Sequence, residues 1–227
     1  MIKSWFSLFL KSNCPLCDRS ADEYICHYCQ QQLNNCRFQN PCQFWSGDLP
    51  LFVWGIYSGK LKMAIAALKY NNSPQLGELM GYWLGEAWLN APGRDRPKKL
   101  IVIPIPLHQK RLQQRGFNQA ELIAKSFCRL TGHSLQVKGL ERIRDTQPMF
   151  GLNSLVEREN NLSKAFILGK DLQKRRPKEP VLLIDDIYTT GTTVREAANL
   201  LRSQKIPVLG VGAIAIAEGR RENSGYP

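Results

Sequence analysis

Two adjacent carboxylates, Asp185 and Asp186, follow the apolar run Val181, Leu182, Leu183 and Ile184, and are themselves followed, after Ile187 and Tyr188, by Thr189, Thr190, Gly191, Thr192 and Thr193. A buried parallel strand reads as continuous Val, Leu and Ile, and ligands of open α/β sheets sit beyond the carboxyl ends of such strands. The two carboxylates are therefore expected to face a ligand, and carboxylates accept hydrogen bonds from vicinal sugar hydroxyls. The Thr/Gly segment adds backbone N–H groups, hydroxyls and one position without a Cβ, and it opens onto a periodic stretch at 194–204. That combination is an anion cradle at a helix N-terminus. Acids for a diol and N–H groups for a phosphate one ribose length away describe a ribose 5-phosphate site.

The segment resembles the signature of type I phosphoribosyltransferases, and the resemblance implies phosphoribosyl pyrophosphate (PRPP) as ligand, with two acidic residues on its ribose and a Thr/Gly loop on its 5-phosphate. A rival reading is the acidic strand of an ATPase, which requires a Gly-rich loop ending in Lys and Ser or Thr. The nearest match, Gly55-Ile-Tyr-Ser-Gly-Lys-Leu61, is one residue short between its glycines and carries Leu61 where a hydroxyl must touch magnesium.

A second chemistry lies near the N-terminus, where six of the seven cysteines fall within the first 42 residues. Cys14 and Cys17 form one CxxC knuckle and Cys26 and Cys29 another, and two such knuckles complete a closed, structural zinc site. A segment this small buries too little apolar surface to fold alone, so metal ligation is the expected source of its stability. A disulfide framework is the alternative, disfavoured by the odd cysteine count and by an apolar start too short for a signal segment. Cys36 and Cys42 fit no knuckle, His27 could in principle replace a thiolate, and Cys128 reads as core.

These groups need a scaffold. A chain of 227 residues with 43% hydrophobic side chains holds one sizeable domain plus a small appendage, here a four-cysteine zinc-binding module at 1–49 and a larger domain at 50–227. Segments 60–70 and 74–90 read as amphipathic helices, the second with Leu76, Leu79, Met80, Trp83, Leu84, Ala87 and Trp88 at core spacing. Segment 100–105 reads as a short strand, and Asn118 with Glu121 caps a helix running to Leu130 and stopped near Gly132. A second strand–helix pair at 181–185 and 194–203 precedes a last strand at 208–216. Strands alternating with helices imply an α/β fold, a mainly parallel sheet covered on both faces.

The net charge of +12 is uneven, since residues 1–50 balance and the excess lies in 51–227. Such a field attracts a polyanion, whether PRPP, pyrophosphate or nucleic acid. The run from Lys174 to Lys178, bounded by Pro177 and Pro180, reads as an exposed loop. The first strand leads through Pro104, Pro106 and His108 into Lys110, Arg111, Arg115 and Gly116, cations able to hold a pyrophosphate at the same sheet edge. The chain reads as cytoplasmic, with no membrane insertion.

Taken with Leu68-Lys69-Tyr70, Arg115-Gly-Phe-Asn-Gln-Ala120, Thr146, Arg158, Asn161 and Ala165-Phe166, these strings resemble the ComF family of competence proteins nearly end to end. One departure is Gln147 directly after Thr146, with Met149 at the later site where the family often has Gln. The resemblance implies a type I phosphoribosyltransferase-like fold beside a zinc-ribbon-like module. It also implies that Asp185 and Asp186 act as the catalytic acidic pair on the ribose hydroxyls, directly or through magnesium. Thr189, Thr190, Gly191, Thr192 and Thr193 would hold the 5-phosphate, and Lys110, Arg111 and Arg115 the pyrophosphate. Family members are implicated in importing transforming DNA beside a helicase and a membrane channel. Open alternatives are a nucleobase salvage transferase and a non-catalytic single-stranded DNA-binding factor.

Overall fold

Five parallel strands carry the molecule, and their unequal lengths shape the ligand edge. In the computed structural model, which describes residues 12–91, 97–144 and 165–217, the sheet comprises β3 (Leu51–Ile56), β9 (Val208–Ile216), β8 (Val181–Tyr188), β4 (Ile101–Pro104) and β5 (Ser134–Leu135), adjacent in that order and parallel throughout. Thr146, Gln147, Met149, Arg158, Asn161 and the basic residues Arg94 and Arg96 lie outside the described residues. The expected mainly parallel sheet flanked by helices is thus present.

Strand β8 continues three residues past the expected end at Asp185. Strand β9 runs alongside as far as Tyr188↔Ile216, so the backbone groups of Asp185 and Asp186 remain in a ladder. On the other side β4 stops at Pro104↔Ile184, and its last link is the Ile105 N–H donating to the Ile184 carbonyl at 2.8 Å. Beyond that point β8 has a neighbour on one side only. The sheet edge is stepped, and the step falls at the acidic pair.

The helices are α1 (His27–Asn34), α2 (Gly59–Tyr70), α3 (Pro74–Asn90), α4 (Gln109–Arg115), α5 (Gln119–Thr131), α6 (Lys170–Lys174) and α7 (Thr192–Ser203). Helices α2, α3 and α5 cover one face, where Leu182 and Ile184 of β8 join a core with Leu68, Leu84, Trp88 and Phe127. Helix α7 covers the other, packing Val194, Ala197 and Leu201 against Val181 and Leu183. The α3 positions expected in the core are buried, Leu79 only partly. Helices α3 and α5 approach closely because Gly81 lacks a side chain: a Cβ there would stand 2.3 Å from the Ile123 carbonyl oxygen. The expected cap of α5 is present, with Asn118 Oδ1 accepting from the Ala120 N–H at 3.1 Å and Gly132 left-handed at the far end.

The cysteine-rich segment builds a hairpin of β1 (Ser12–Asn13) and β2 (Ser20–Ala21), followed by α1. The chain then runs along the outer edge of β3: Phe38 N–H donates to Trp54 O at 2.9 Å, Ile56 N–H to Cys36 O at 2.9 Å and Val53 N–H to Pro41 O at 3.0 Å. An edge strand of unbroken apolar residues would otherwise offer itself to another chain. Leu33, Cys29 and Cys14 share one continuous core with Leu61 and Ile65 of α2 and Trp83 of α3. A short antiparallel pair, β6 (Leu140–Arg142) with β7 (Phe166–Leu168), lies outside the main sheet, and α6 ends where the exposed basic run begins. Among the described residues no helix is long and apolar enough to cross a membrane.

Candidate functional site

The two carboxylates of β8 differ in their surroundings. Asp186 points to the α2 side, where it is only 4% exposed and Lys69 Nζ meets its Oδ2 at 2.6 Å. Asp185 is the more open of the two, and its Oδ1 accepts the Asp186 backbone N–H at 2.9 Å. Burial, reinforced by the charge of Asp186, pushes the Asp185 carboxyl up to about 8. Burial alone would pull the Lys69 ammonium down, but the charges of Asp186 and then Asp185 outweigh it and hold Lys69 above its usual range.

From Tyr188 the chain turns through Thr189 and Thr190, both exposed, to Gly191, which sits at φ +77° as the N-cap of α7. Glycine is required there twice over: L side chains rarely adopt that φ, and a Cβ would collide with Tyr188 Oη. Thr190 and Thr192 hydroxyls lie 2.8 Å apart. Gly191 offers no side-chain cap to α7, the Thr192 N–H donates to Thr190 Oγ1 at 3.4 Å, and no acidic residue lies in the first turn. The helix dipole and leading N–H groups are thus not already committed to a resident carboxylate. Thr189, Thr190 and Gly191 thus form the turn, and Thr192 and Thr193 the first two residues of α7.

Lys110, Arg111 and Arg115 lie on the short helix α4, started by His108, whose Nδ1 accepts from the Lys110 backbone N–H at 3.4 Å, and ended by left-handed Gly116. Just beyond α4, Asn118 at the start of α5 ties the chain to the stepped edge by donating from Nδ2 to the Ile105 carbonyl at 3.0 Å. The Arg115 guanidinium lies over the Tyr70 ring at 5.8 Å and donates to Gln119 Oε1 at 2.5 Å, and its charge pulls Lys69 down. The Lys110 side chain is exposed.

Lys69 and Tyr70 are the site residues that spacing does not reveal. Both end α2, an ordinary amphipathic helix by pattern, and only the fold brings them to Asp186 and Arg115. The string Leu68-Lys69-Tyr70 within the family resemblance is the one signal that marked them.

The four cysteines also converge. Cys14 and Cys17 come from the turn between β1 and β2, closed by Asp18 N–H donating to Cys14 O at 2.8 Å, while Cys26 and Cys29 come from the first turn of α1. Their sulfur atoms all lie within 4.8 Å of one another, with Cys17 and Cys26 Sγ 3.5 Å apart. A tetrahedron with Zn–S bonds of about 2.3 Å has edges of about 3.8 Å, so the spacing suits a metal, while every one of the thiols is free of a disulfide. The Cys29 backbone N–H pulls Cys26 down to about 7, whereas burial pushes Cys29 up to about 12. Four thiols so close cannot all ionise without a cation among them. Cys36 stands apart, its thiol directed at the carbonyls of Ser58 and Gln32, and His27 contacts Gln31. Burial pushes the Cys128 thiol up to about 12, as suits a core residue.

No protein-family model matches the chain. It is 30% identical over 205 residues to competence protein F of Haemophilus influenzae, covering 89% of this chain and 85% of that one. It is 28% identical over 197 residues to DNA utilization protein YhgH of Escherichia coli, covering 83% of each. It is 32% identical over 106 residues to competence protein ComFC of Bacillus subtilis, covering 46% of this chain and 39% of that one. Among solved structures it is similar to an adenine phosphoribosyltransferase from Leishmania donovani, with TM-score 0.38, 11% identity and coverage of 88% and 87%. A second is a glutamine PRPP amidotransferase from B. subtilis, with TM-score 0.36, 18% identity and coverage of 63% of this chain and 26% of that one.

Proposed function

The chain belongs to the ComF family of competence proteins, and from that premise we propose that it is a cytoplasmic phosphoribosyltransferase-fold protein that binds PRPP and serves natural competence and the handling of incoming DNA. The observation that carries the reading is the continuous passage from β8 into α7, which sets Asp185 at the stepped edge beside a helix N-terminus with no acidic group of its own. The acidic pair suits the ribose hydroxyls, the turn at Thr189 to Thr193 the 5-phosphate, and α4 with Arg115 the pyrophosphate.

Magnesium, when bound with PRPP, would neutralise the pyrophosphate, and Asp185, the less buried of the acidic pair, would offer it a carboxylate oxygen. Displacement at C1 of PRPP builds positive charge on the ribose ring as pyrophosphate departs, and this chain's own contribution is to orient the sugar and hold the leaving group's charge. Zinc fits the cluster of Cys14, Cys17, Cys26 and Cys29 as a closed site with no position for substrate, so its role is structural.

Calorimetric titration of the protein with PRPP in the presence of magnesium is expected to give one saturable site per chain, relieved by excess pyrophosphate. No heat of binding would overturn the reading. The same titration repeated with a single-stranded oligonucleotide separates the nucleic-acid reading favoured by the exposed run from Lys174 to Lys178: competition with PRPP means a shared groove, independence means a second surface.

A further inference from the structure

Lys69 grips the acidic pair from one side only. Its side chain is 19% exposed, Asp186 Oδ2 is sealed from solvent, and the two groups meet at 2.6 Å from elements on the same face of the sheet. The groups facing this ammonium are Asp186, Asp185 and, from α4, Arg115. Asp185 is half-buried rather than buried, and its carboxyl engages both the backbone N–H and the side chain of Asp186. The two carboxylates, adjacent in sequence and equivalent by spacing, are thus not equivalent in space.

We propose that Lys69 is a positioning residue of the ribose-phosphate site, whose ammonium claims Asp186 and cancels its charge, leaving Asp185 as the carboxylate that takes the ligand's vicinal hydroxyls. The proposal rests on the PRPP reading of the site and divides the labour within it. A polyanion entering this edge meets two adjacent acids. With Lys69 in place the charge of Asp186 is offset, and Arg115 on α4 can turn its remaining donors toward the pyrophosphate. Without Lys69, Asp186 repels the same ligand from beneath. The adjacent Tyr70, stacked against Arg115, ties the end of α2 to α4, so the ammonium and the guanidinium are set by one helix end.

The test is calorimetric titration of the full-length, zinc-loaded protein with PRPP and magnesium, alongside thermal melts. Asp185→Asn is expected to weaken binding about 100-fold and Asp186→Asn less than about tenfold. Lys69→Met is expected to weaken it about 30-fold, Lys69→Arg to restore most of that, and Asp186→Asn added to Lys69→Met to restore affinity by removing the uncompensated charge. That rescue is a response to charge which a purely structural lysine would not give. If Lys69→Met fails to fold, the contrast between Asp185→Asn and Asp186→Asn, together with Lys69→Arg, decides the matter. Equal losses from the two Asn variants, or a double variant no better than Lys69→Met, overturn the division of labour while leaving PRPP binding in place. A wild-type protein that takes up no PRPP defeats the site reading itself and this proposal with it.

Discussion

Removing the metal from the cysteine cluster is expected to lower the melting temperature by more than about 10 °C, and Cys29→Ser to do the same. Structural zinc in peptides contributes on the order of 10 kcal/mol of folding free energy, and the segment that holds these thiols has two short strands and one eight-residue helix to stand on. The loss does not stay local. Cys14 and Cys29 are buried in the same core as Leu61, Ile65 and Trp83, and the residues that follow α1 seal the open edge of β3. Once the cluster opens, four thiols within 4.8 Å lose the cation that permits their ionisation, and the edge strand loses its cover. Elemental analysis is expected to give one zinc per chain, and melts with and without chelator, followed by zinc restoration, read the coupling. Zinc-free protein with an unchanged melt would contradict it.

Asp185→Asn is expected to act in two opposite directions, making the protein more stable at alkaline pH while removing its ligand. The Asp185 carboxyl is raised from 3.8 to about 8 by burial first and the charge of Asp186 second. For an acid raised on folding, the favourable contribution is complete below the unfolded value near 4 and is lost as pH rises through the folded value near 8. Above about pH 8 the ionised carboxylate therefore works against the fold. A shift of this size corresponds to several kcal/mol at most, and sharing of charge with Asp186 and Lys69 brings the expected gain for Asn to roughly 2 kcal/mol. Asn retains the oxygen that accepts the Asp186 N–H, so packing is preserved. Melts of both proteins are expected to coincide near pH 4 and to diverge by about 5 °C at about pH 9, with the variant higher. At about pH 9, where the wild-type carboxylate is ionised, the variant's affinity for PRPP is expected to lie about 100-fold below that of the wild type. A variant less stable at alkaline pH, or one that keeps its affinity, would break the link between buried charge and ligand site.

What the sequence made legible was local. The passage from Val181 to Thr193 was legible as strand, turn and helix start because an unbroken apolar run suits a buried parallel strand and a glycine flanked by threonines suits a turn into a helix. The two CxxC knuckles stood out as a pattern with one dominant use. The caps at Asn118 and Gly132 are likewise written in residue types with one conformational purpose. Other features were not legible. The strand at Leu51–Ile56 has an apolar run too short to distinguish from buried helix, and its Gly55 invited comparison with a nucleotide loop before the fold made it an edge strand. The continuation of β8 through Tyr188 depends on β9 running alongside, a pairing that no single-segment pattern contains. Lys69 is a surface-type residue at the end of an amphipathic helix, and only the layer of α2 against the sheet turns it into the partner of Asp186. Tertiary placement also separated Asp185 from Asp186, which adjacency had presented as a matched pair.

If the passage from β8 into α7 holds PRPP, the backbone amides of that passage must register it. Hydrogen exchange of the zinc-loaded protein, with and without PRPP and magnesium, reads those amides directly. Slowed exchange concentrated at Asp185 to Val194, with a second protected stretch from His108 to Asn118, is the predicted result, since those N–H groups would then face phosphate rather than water. PRPP binding that leaves the amides of Thr189, Thr190, Gly191, Thr192 and Thr193 exchanging as fast as in the free protein would contradict it.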